Sequence, residues 1–355
     1  MIVIIIIKYL REERMQHIRS NRERIFVVGA IAIMILFLLA ACGNRSGGEP
    51  GEAKSSADAS RTEEPAGAEQ GTRTVKDDLG RQVEIPAKPE RIIAGEFASE
   101  LLSLGVKPVG AGDNGFKVVY TLNAMAGVER IGDPPNPEKI LSLKPDLIIA
   151  PTVFQDIYAK QMEQLDKVAP IFYISFDQDP IYDIFTKVAE LVGKTKEAQA
   201  WIAEYEREAA AARKQLASAL GDQTVSIFRV EKGRLRIYLN RNFAGYMLRS
   251  SLQVKAPAAV AAEMMKNKNS SAVEISLESL PQYAGDHLFL IVRGEGADQQ
   301  AFQEIQRSGL WNSLEAVKRG NVHFLDTDKY YGSDIVTIRE TMKEAAQMLA
   351  GSVQK

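Results

Sequence analysis

Residues 181–216 read IYDIFTKVAELVGKTKEAQAWIAEYEREAAAARKQL, and the fold is decided by how this stretch is understood. Apolar or small residues recur at Ile184, Val188, Leu191, Val192, Ala198, Trp201, Ile202, Tyr205, Ala209, Ala212 and Leu216. Steps of three and four are a helix period. The intervening positions, among them Lys187, Glu190, Glu197, Glu204, Arg207 and Arg213, form a solvated face. Asp179-Pro180 is a start signal, because proline is tolerated in a first turn. Gly221-Asp222 is a stop. Gly193 should dent the run, since glycine in a helix costs ~1 kcal/mol against alanine. A continuous helix here would reach ~50 Å, longer than one small domain is wide. It either joins two domains or forms one layer of a single domain.

Outward from this run, short strands alternate with helices on both sides. Before it, a hairpin over 75–86 turns at Asp78-Leu79-Gly80. Strands follow over 91–95, 106–110, 146–150 and 170–175, with helices over 98–104, 137–143 and 156–167. After it come strands over 224–230, 235–239, 287–292 and 321–325. Helices are expected there over 244–252, 277–283, 299–306, 313–318 and 334–349. Such alternation means an α/β fold with helices on the faces of mainly parallel sheets. The expected division is a first lobe over 75–180, the bridging helix over 181–216, and a second lobe over 217–355.

The chain has 355 residues, 45% hydrophobic and 25% charged, with a formal net charge of −2. Nothing in that balance favours nucleic acid as a partner. Cys42 is the single cysteine, so neither an internal disulfide nor a cysteine metal site can form. The first lobe is preceded by two distinct segments. Met15 opens a more conventional start than Met1, with His17, Arg19, Arg22 and Arg24 ahead of an almost wholly apolar run over 25–41. That is the plan of a secretory signal, so residues 1–41 are read as one. Residues 43–74 contain no Val, Ile, Leu, Met, Phe, Trp or Tyr. Such a segment cannot bury enough surface to offset its ordering entropy and should be a disordered tether.

Leu39-Ala40-Ala41-Cys42 resembles the lipobox of bacterial lipoproteins. The resemblance implies cleavage before Cys42 and a lipidated thiol. Further stretches are similar to the iron-siderophore and cobalamin group of substrate-binding lipoproteins of ABC importers. They are Asp77-Asp78-Leu79-Gly80-Arg81 with the 85–92 segment, residues 102–110, the most specific stretch over 136–149, and Ile275-Ser276-Leu277-Glu278-Ser279-Leu280. The likeness spans roughly 75–349. It implies two Rossmann-like α/β lobes bridged by one long helix, with ligand in the cleft between them. It also implies that Glu138 and Glu278 dock the two lobes onto an ABC permease dimer. Each could equally be an acid favoured near a helix N-terminus.

For a ferric siderophore the chelator already wraps the iron, so the protein needs aromatic walls and donors rather than iron ligands. Arg229 ends an apolar strand and is the leading candidate, since arginine offers several donors in a fixed plane. Tyr238, Arg241, Phe243 and Tyr246 follow it closely. Arg293 ends the 287–292 strand, and Tyr330 and Tyr331 follow the 321–325 strand, where clefts form in open sheets. In the first lobe, Glu96 and Phe97 follow the first strand, and Lys117, Tyr120 and Phe154 lie in loops. Packing in the core or at a rim competes at each position. A hydroxamate-type chelate is favoured.

Within the same fold, cobalamin or haem is the alternative ligand. Zinc or manganese would need several protein donors, and only His287 and His323 lie in the folded body. Both sit in strand patterns and are read as packed. Catalysis is not expected, because a Gly-x-Ser-x-Gly elbow and a P-loop are both missing from the sequence. The expectation is a non-enzymatic, cofactor-free, monomeric lipoprotein on the extracytoplasmic face of a Gram-positive cell membrane.

Overall fold

The computed structural model describes residues 71–241, 244–267, 270–292, 296–330 and 332–352. The signal, Cys42 and nearly all of the expected tether lie outside them. Chain order begins with a hairpin, β1 (Thr72–Lys76) and β2 (Gln82–Pro86). It starts three residues inside the stretch read as tether. Arg73 explains this, because its guanidinium caps the carbonyls of Glu190 and Leu191 at 2.7 and 3.0 Å. That anchor is polar and long-range, invisible to a hydrophobicity scan.

The first half continues through β3 (Ile92–Ile93), α1 (Ala98–Ser103), β4 (Gly110–Ala111), β5 (Glu129–Arg130), α2 (Pro137–Ser142), β6 (Leu147–Pro151), α3 (Phe154–Ile157), α4 (Ala159–Leu165) and β7 (Ile171–Ile174). Its sheet is parallel throughout, in the order β5-β4-β3-β6-β7. The 181–216 run is not one helix. A π-turn (Pro180–Ile184) leads into α5 (Phe185–Leu191), and the chain then breaks at Gly193, whose φ is +67°. The long helix proper is α6 (Thr195–Leu220), 26 residues and about 39 Å.

The second half holds β8 (Val225–Glu231), β9 (Arg234–Tyr238), a π-turn (Tyr246–Ser251), α7 (Ala258–Lys266), β10 (Ala272–Ile275), α8 (Leu280–Tyr283), β11 (His287–Val292), α9 (Ala297–Arg307), α10 (Gly309–Ser313), α11 (Glu315–Lys318), β12 (Val322–Leu325) and α12 (Ile335–Ser352). Its sheet, ordered β10-β9-β8-β11-β12, is mixed rather than mainly parallel. β8, β11 and β12 run parallel, whereas β9 and β10 are antiparallel. The cause is local. Lys232 and Gly233 both have positive φ, 52° and 69°, the two-residue turn that folds a strand straight back.

The central parallel strands of each five-stranded sheet are buried on both faces, as such strands require. Ile93, Ile148, Ile171 and Tyr173 face a core private to the first half. Phe228, Val230, Leu288 and Leu290 face one private to the second. The alternate residues, Ile92, Leu147, Phe172, Ile227, Phe289 and Leu325 among them, join a single larger core. α1, α5, α6 and α12 supply Leu101, Phe185, Tyr205 and Met342 to that middle layer. Arg339 of α12 clamps Glu208 of α6 bidentately at 2.7 Å on both oxygens and lies over Trp201, 5.4 Å from the ring centre. The halves are therefore joined by a common core as well as by α6.

His287 and His323 stack near the amino ends of β11 and β12. His287 Nε2 lies 3.0 Å from Gln223 Oε1, which can only accept, so that nitrogen carries the proton. His287 Nδ1 must then accept from His323 Nε2, 3.3 Å away. Burial, with His287 second, pushes His323 down to about 4. Burial lowers His287 too. A histidine depressed in the folded state gives stability present above the unfolded pKa near 6.5 and lost as pH falls through the folded value. Between pH 6.5 and 4 the wild-type protein should therefore lose roughly 1–2 kcal/mol of unfolding free energy relative to His323→Phe, a figure discounted for the part-exposed ring. The buried carboxyls titrate in both proteins and cancel in that difference. Parallel pH profiles of the two proteins in denaturant titrations would show that His323 contributes nothing.

Candidate functional site

The carboxyl ends of the first-half strands converge on one cavity of about 330 Å³ that opens between the halves. Glu96 and Phe97 follow β3, Asn114 and Lys117 follow β4, and Asp133 follows β5. Phe154 and Tyr158 follow β6, and Phe176 follows β7. Strand ends feeding a crevice are where open α/β sheets bind ligands. The second half contributes Tyr246, Asp328 and the 332–334 segment with Thr337. Both π-turns border the cavity, through Pro180, Ile184 and Tyr246, and such turns are frequent at functional sites.

The walls are aromatic. Phe97 and Phe176 lie 5.5 Å apart, and Phe154 meets Tyr158 edge-on at 5.0 Å. Gly95 makes this wall possible. Its φ is +51°, and a Cβ there would stand 2.4 Å from the Ile149 carbonyl oxygen. Only glycine lets β3 press so close to β6 before turning out Glu96 and Phe97.

The charges are mostly negative. Glu96, Glu100, Asp133, Asp328 and Asp334 line the cavity, and Lys117 is the only lysine or arginine among its described lining residues. Lys117 donates to Asn114 Oδ1 at 2.8 Å, and Tyr158 donates its hydroxyl to Asp133. Burial raises the Glu96 carboxyl above its ordinary value. Glu100 is pushed up to about 8 by burial first and by Asp334 second. Burial likewise raises Asp334. Asp334 caps α12, its Oδ1 accepting from the amides of Val336 and Thr337 at 3.1 and 3.0 Å.

Of the residues picked from sequence, Glu96, Phe97, Lys117, Phe154 and Tyr246 line this cavity. Arg241 stands at its edge, bonded to Tyr246, with a 2.8 Å bond to the Phe176 carbonyl and Asp177 at 3.7 Å. Arg229 and Tyr238 do not line it. Arg229 is 5% exposed, pairs with Glu231 at 2.8 Å and donates to the Tyr238 hydroxyl at 3.2 Å. Nor do Tyr120 and Tyr330, which converge from opposite halves on Glu344 of α12 at 3.4 and 3.2 Å. Phe243, Arg293 and Tyr331 lie outside the described residues.

Asp133, Tyr158, Phe176, Glu100 and Asp334 are lining residues that sequence reasoning passed over. Following the expected strands over 146–150 and 170–175 beyond their carboxyl ends would have found Tyr158 and Phe176, whereas Asp133 follows β5, a two-residue strand that periodicity does not reveal. Glu138 is exposed in the first turn of α2, which Asn136 caps by accepting from the Lys139 amide at 3.1 Å. Glu278 is exposed in the turn before α8, rather than in a helical turn. Its own amide and the Ser276 side chain hold its carboxyl below the ordinary value. Among the described residues, no helix is long and apolar enough to cross a membrane, and no cluster of three or more His, Cys, Asp or Glu is placed to hold a metal.

Two α/β halves, a long bridging helix and a cleft fed by strand ends define a two-lobed binding protein that takes its ligand between the lobes. Residues 99–329 match the periplasmic binding protein family, and the chain belongs to it. Among its relatives is the iron(3+)-hydroxamate-binding protein FhuD of Bacillus subtilis, 31% identical over 322 residues, 90% of this chain and 95% of that one. The iron(3+)-hydroxamate-binding protein YxeB of the same organism is 27% identical over 332 residues, 92% and 97% of the two chains. Among solved structures, a periplasmic binding protein component of a ferrichrome ABC transporter from Bacillus subtilis superposes with a TM-score of 0.68. It is 28% identical, and the match covers 78% of this chain and 99% of that one.

Proposed function

We propose that this protein captures a ferric siderophore of hydroxamate type in the interlobe cleft and hands it to an ABC permease. The observation that carries this is the cavity itself, aromatic-walled and built from strand ends, in a chain whose relatives are named for iron(3+)-hydroxamate binding. Its volume lies at the lower end of the range for small-molecule pockets, ~300–1,000 Å³. Iron arrives as cargo already enclosed by its chelator, so the work is recognition and delivery rather than catalysis. A bare-metal reading is disfavoured, since His287 and His323 are committed to each other at the strand ends away from the cleft. Cobalamin or haem is the second reading, and it rests on the resemblance read from sequence.

Glu138 and Glu278, one on each half, are the proposed permease contacts. Cys42 is the proposed lipid site and the residues after it a tether, which would keep the protein at the extracytoplasmic membrane face as a monomer.

Titration of the soluble domain with a ferric hydroxamate tests the ligand. Trp201 contacts Phe185, the neighbour of lining residue Ile184, at 5.2 Å between rings. Its fluorescence should fall saturably on binding. Silence with every ferric chelate, alongside a response to cobalamin or zinc, would overturn the reading.

A further inference from the structure

We propose that the floor of the cleft is a cation subsite, selecting ferric chelates that carry a protonated amine, with Glu100 Oε2 as the receiving atom and Asp334 beside it. This rests on the ligand reading above.

Glu100 is 3% exposed and lines the cavity, and its Oε2 finds no hydrogen-bond partner. A buried acceptor left unsatisfied costs ~1–3 kcal/mol, more when charged, and needs a reason. Asp334, facing it across the halves, is by contrast fully engaged. It takes the Val336 and Thr337 amides, the Thr337 hydroxyl at 2.7 Å and the Ser99 side chain. Gly332 keeps space open beside it, since a Cβ there would stand 2.6 Å from Asp334 Oδ2. The unmet need is thus one strong donor at Glu100. Glu96, Asp133 and Asp328 add negative potential, and a low-dielectric cleft focuses it. Lys117, the lining cation, is exposed and turned to Asn114.

An ammonium group meets that need and, once the Glu100 carboxyl gives up its proton, bridges Glu100 and Asp334 between the halves. With its carboxyl raised to about 8, Glu100 holds a proton at neutral pH. Docking of the ammonium sends that proton to solvent, leaves carboxylate against ammonium, and conserves charge. Anionic catecholate and carboxylate chelates meet repulsion instead.

The test compares ferrioxamine B, whose amine is protonated, with its N-acetylated neutral derivative, the iron core being identical. The ammonium form should bind at least tenfold tighter to the wild-type protein. It should also release close to one proton, measured by calorimetry at pH 7 in buffers of different ionisation enthalpy. The acetylated form should release none. In Glu100→Gln the affinity ratio should collapse toward one and the proton release should vanish. Equal affinity of the two chelates for the wild-type protein, or an unchanged ratio in Glu100→Gln, would overturn the subsite and leave the hydroxamate reading standing. Failure of both chelates to bind would overturn the subsite, and silence with every other ferric hydroxamate as well would overturn the ligand reading. Should the variant not fold, the wild-type ratio and proton release decide on their own.

Discussion

The double variant Glu138→Ala, Glu278→Ala is expected to hold its ferric ligand with unchanged affinity and to deliver almost none. Both carboxylates are exposed and neither lines the cleft, so their removal costs the fold little. Leu141, 59% exposed, sits one helical turn from Glu138 and adds an apolar contact to that patch. Charged rims steer association and fix register. Losing one contact on each half removes both, so uptake of radiolabelled ferric chelate into cells should drop by more than a hundredfold. Each single variant should fall part of the way. Uptake at wild-type levels in the double variant would remove these residues from the docking role. A loss of ligand affinity in the purified protein would show that they serve the cleft instead.

Gly95→Ala should be the most damaging single-methyl change on the cleft wall. An L residue at φ +51° is strained, at about 1–2 kcal/mol. The larger cost comes from the 2.4 Å approach to the Ile149 carbonyl, because backbone cannot rotate out of the way as a side chain can. β3 must part from β6, and the bond from the Gly112 amide to the Gly95 carbonyl, 2.8 Å, goes with it. A loss of roughly 3–5 kcal/mol is expected, with a melting temperature lower by about 10 °C and a chelate affinity reduced at least tenfold. Gly193→Ala is the control. Its φ is also positive, at +67°, but nothing lies within 4 Å of the added methyl, so only the backbone strain of about 1–2 kcal/mol applies. Equal melting temperatures for the two variants would refute the close-packing explanation.

What could be read from sequence was whatever local periodicity encodes. The α/β alternation, the bridging run and the closing helix all follow from spacing, and the wall residues Glu96 and Phe97 from their place after the first apolar strand. The candidates that do not line the cavity share a different origin. Charge and strand end single out Arg229, whereas Glu231, two residues on and on the same face, pairs with it and also with Arg236 across the hairpin at 3.2 Å. Tyr120 and Tyr330 are 210 positions apart in number and meet only because α12 brings Glu344 between them. The acidic character of the cleft was equally hidden. It is a sum over loops from both halves, each carrying one or two unremarkable carboxylates. At Gly193 the helix propensity of glycine predicts only a dent, yet the break is complete, because a left-handed residue ends a helix outright.

The middle layer has a consequence for the autonomy of the halves. Two sheets lean on the same helices, and α12 completes the packing of the first half through α1 as well as that of the second. Neither half is thus a self-sufficient module. Separated from its neighbour, each would present a raw apolar face to water, so they could not be exchanged between relatives, truncated or folded one at a time without the other. Neither sheet is sealed until α12 is in place, and from then on the receptor gains or loses its structure as one body.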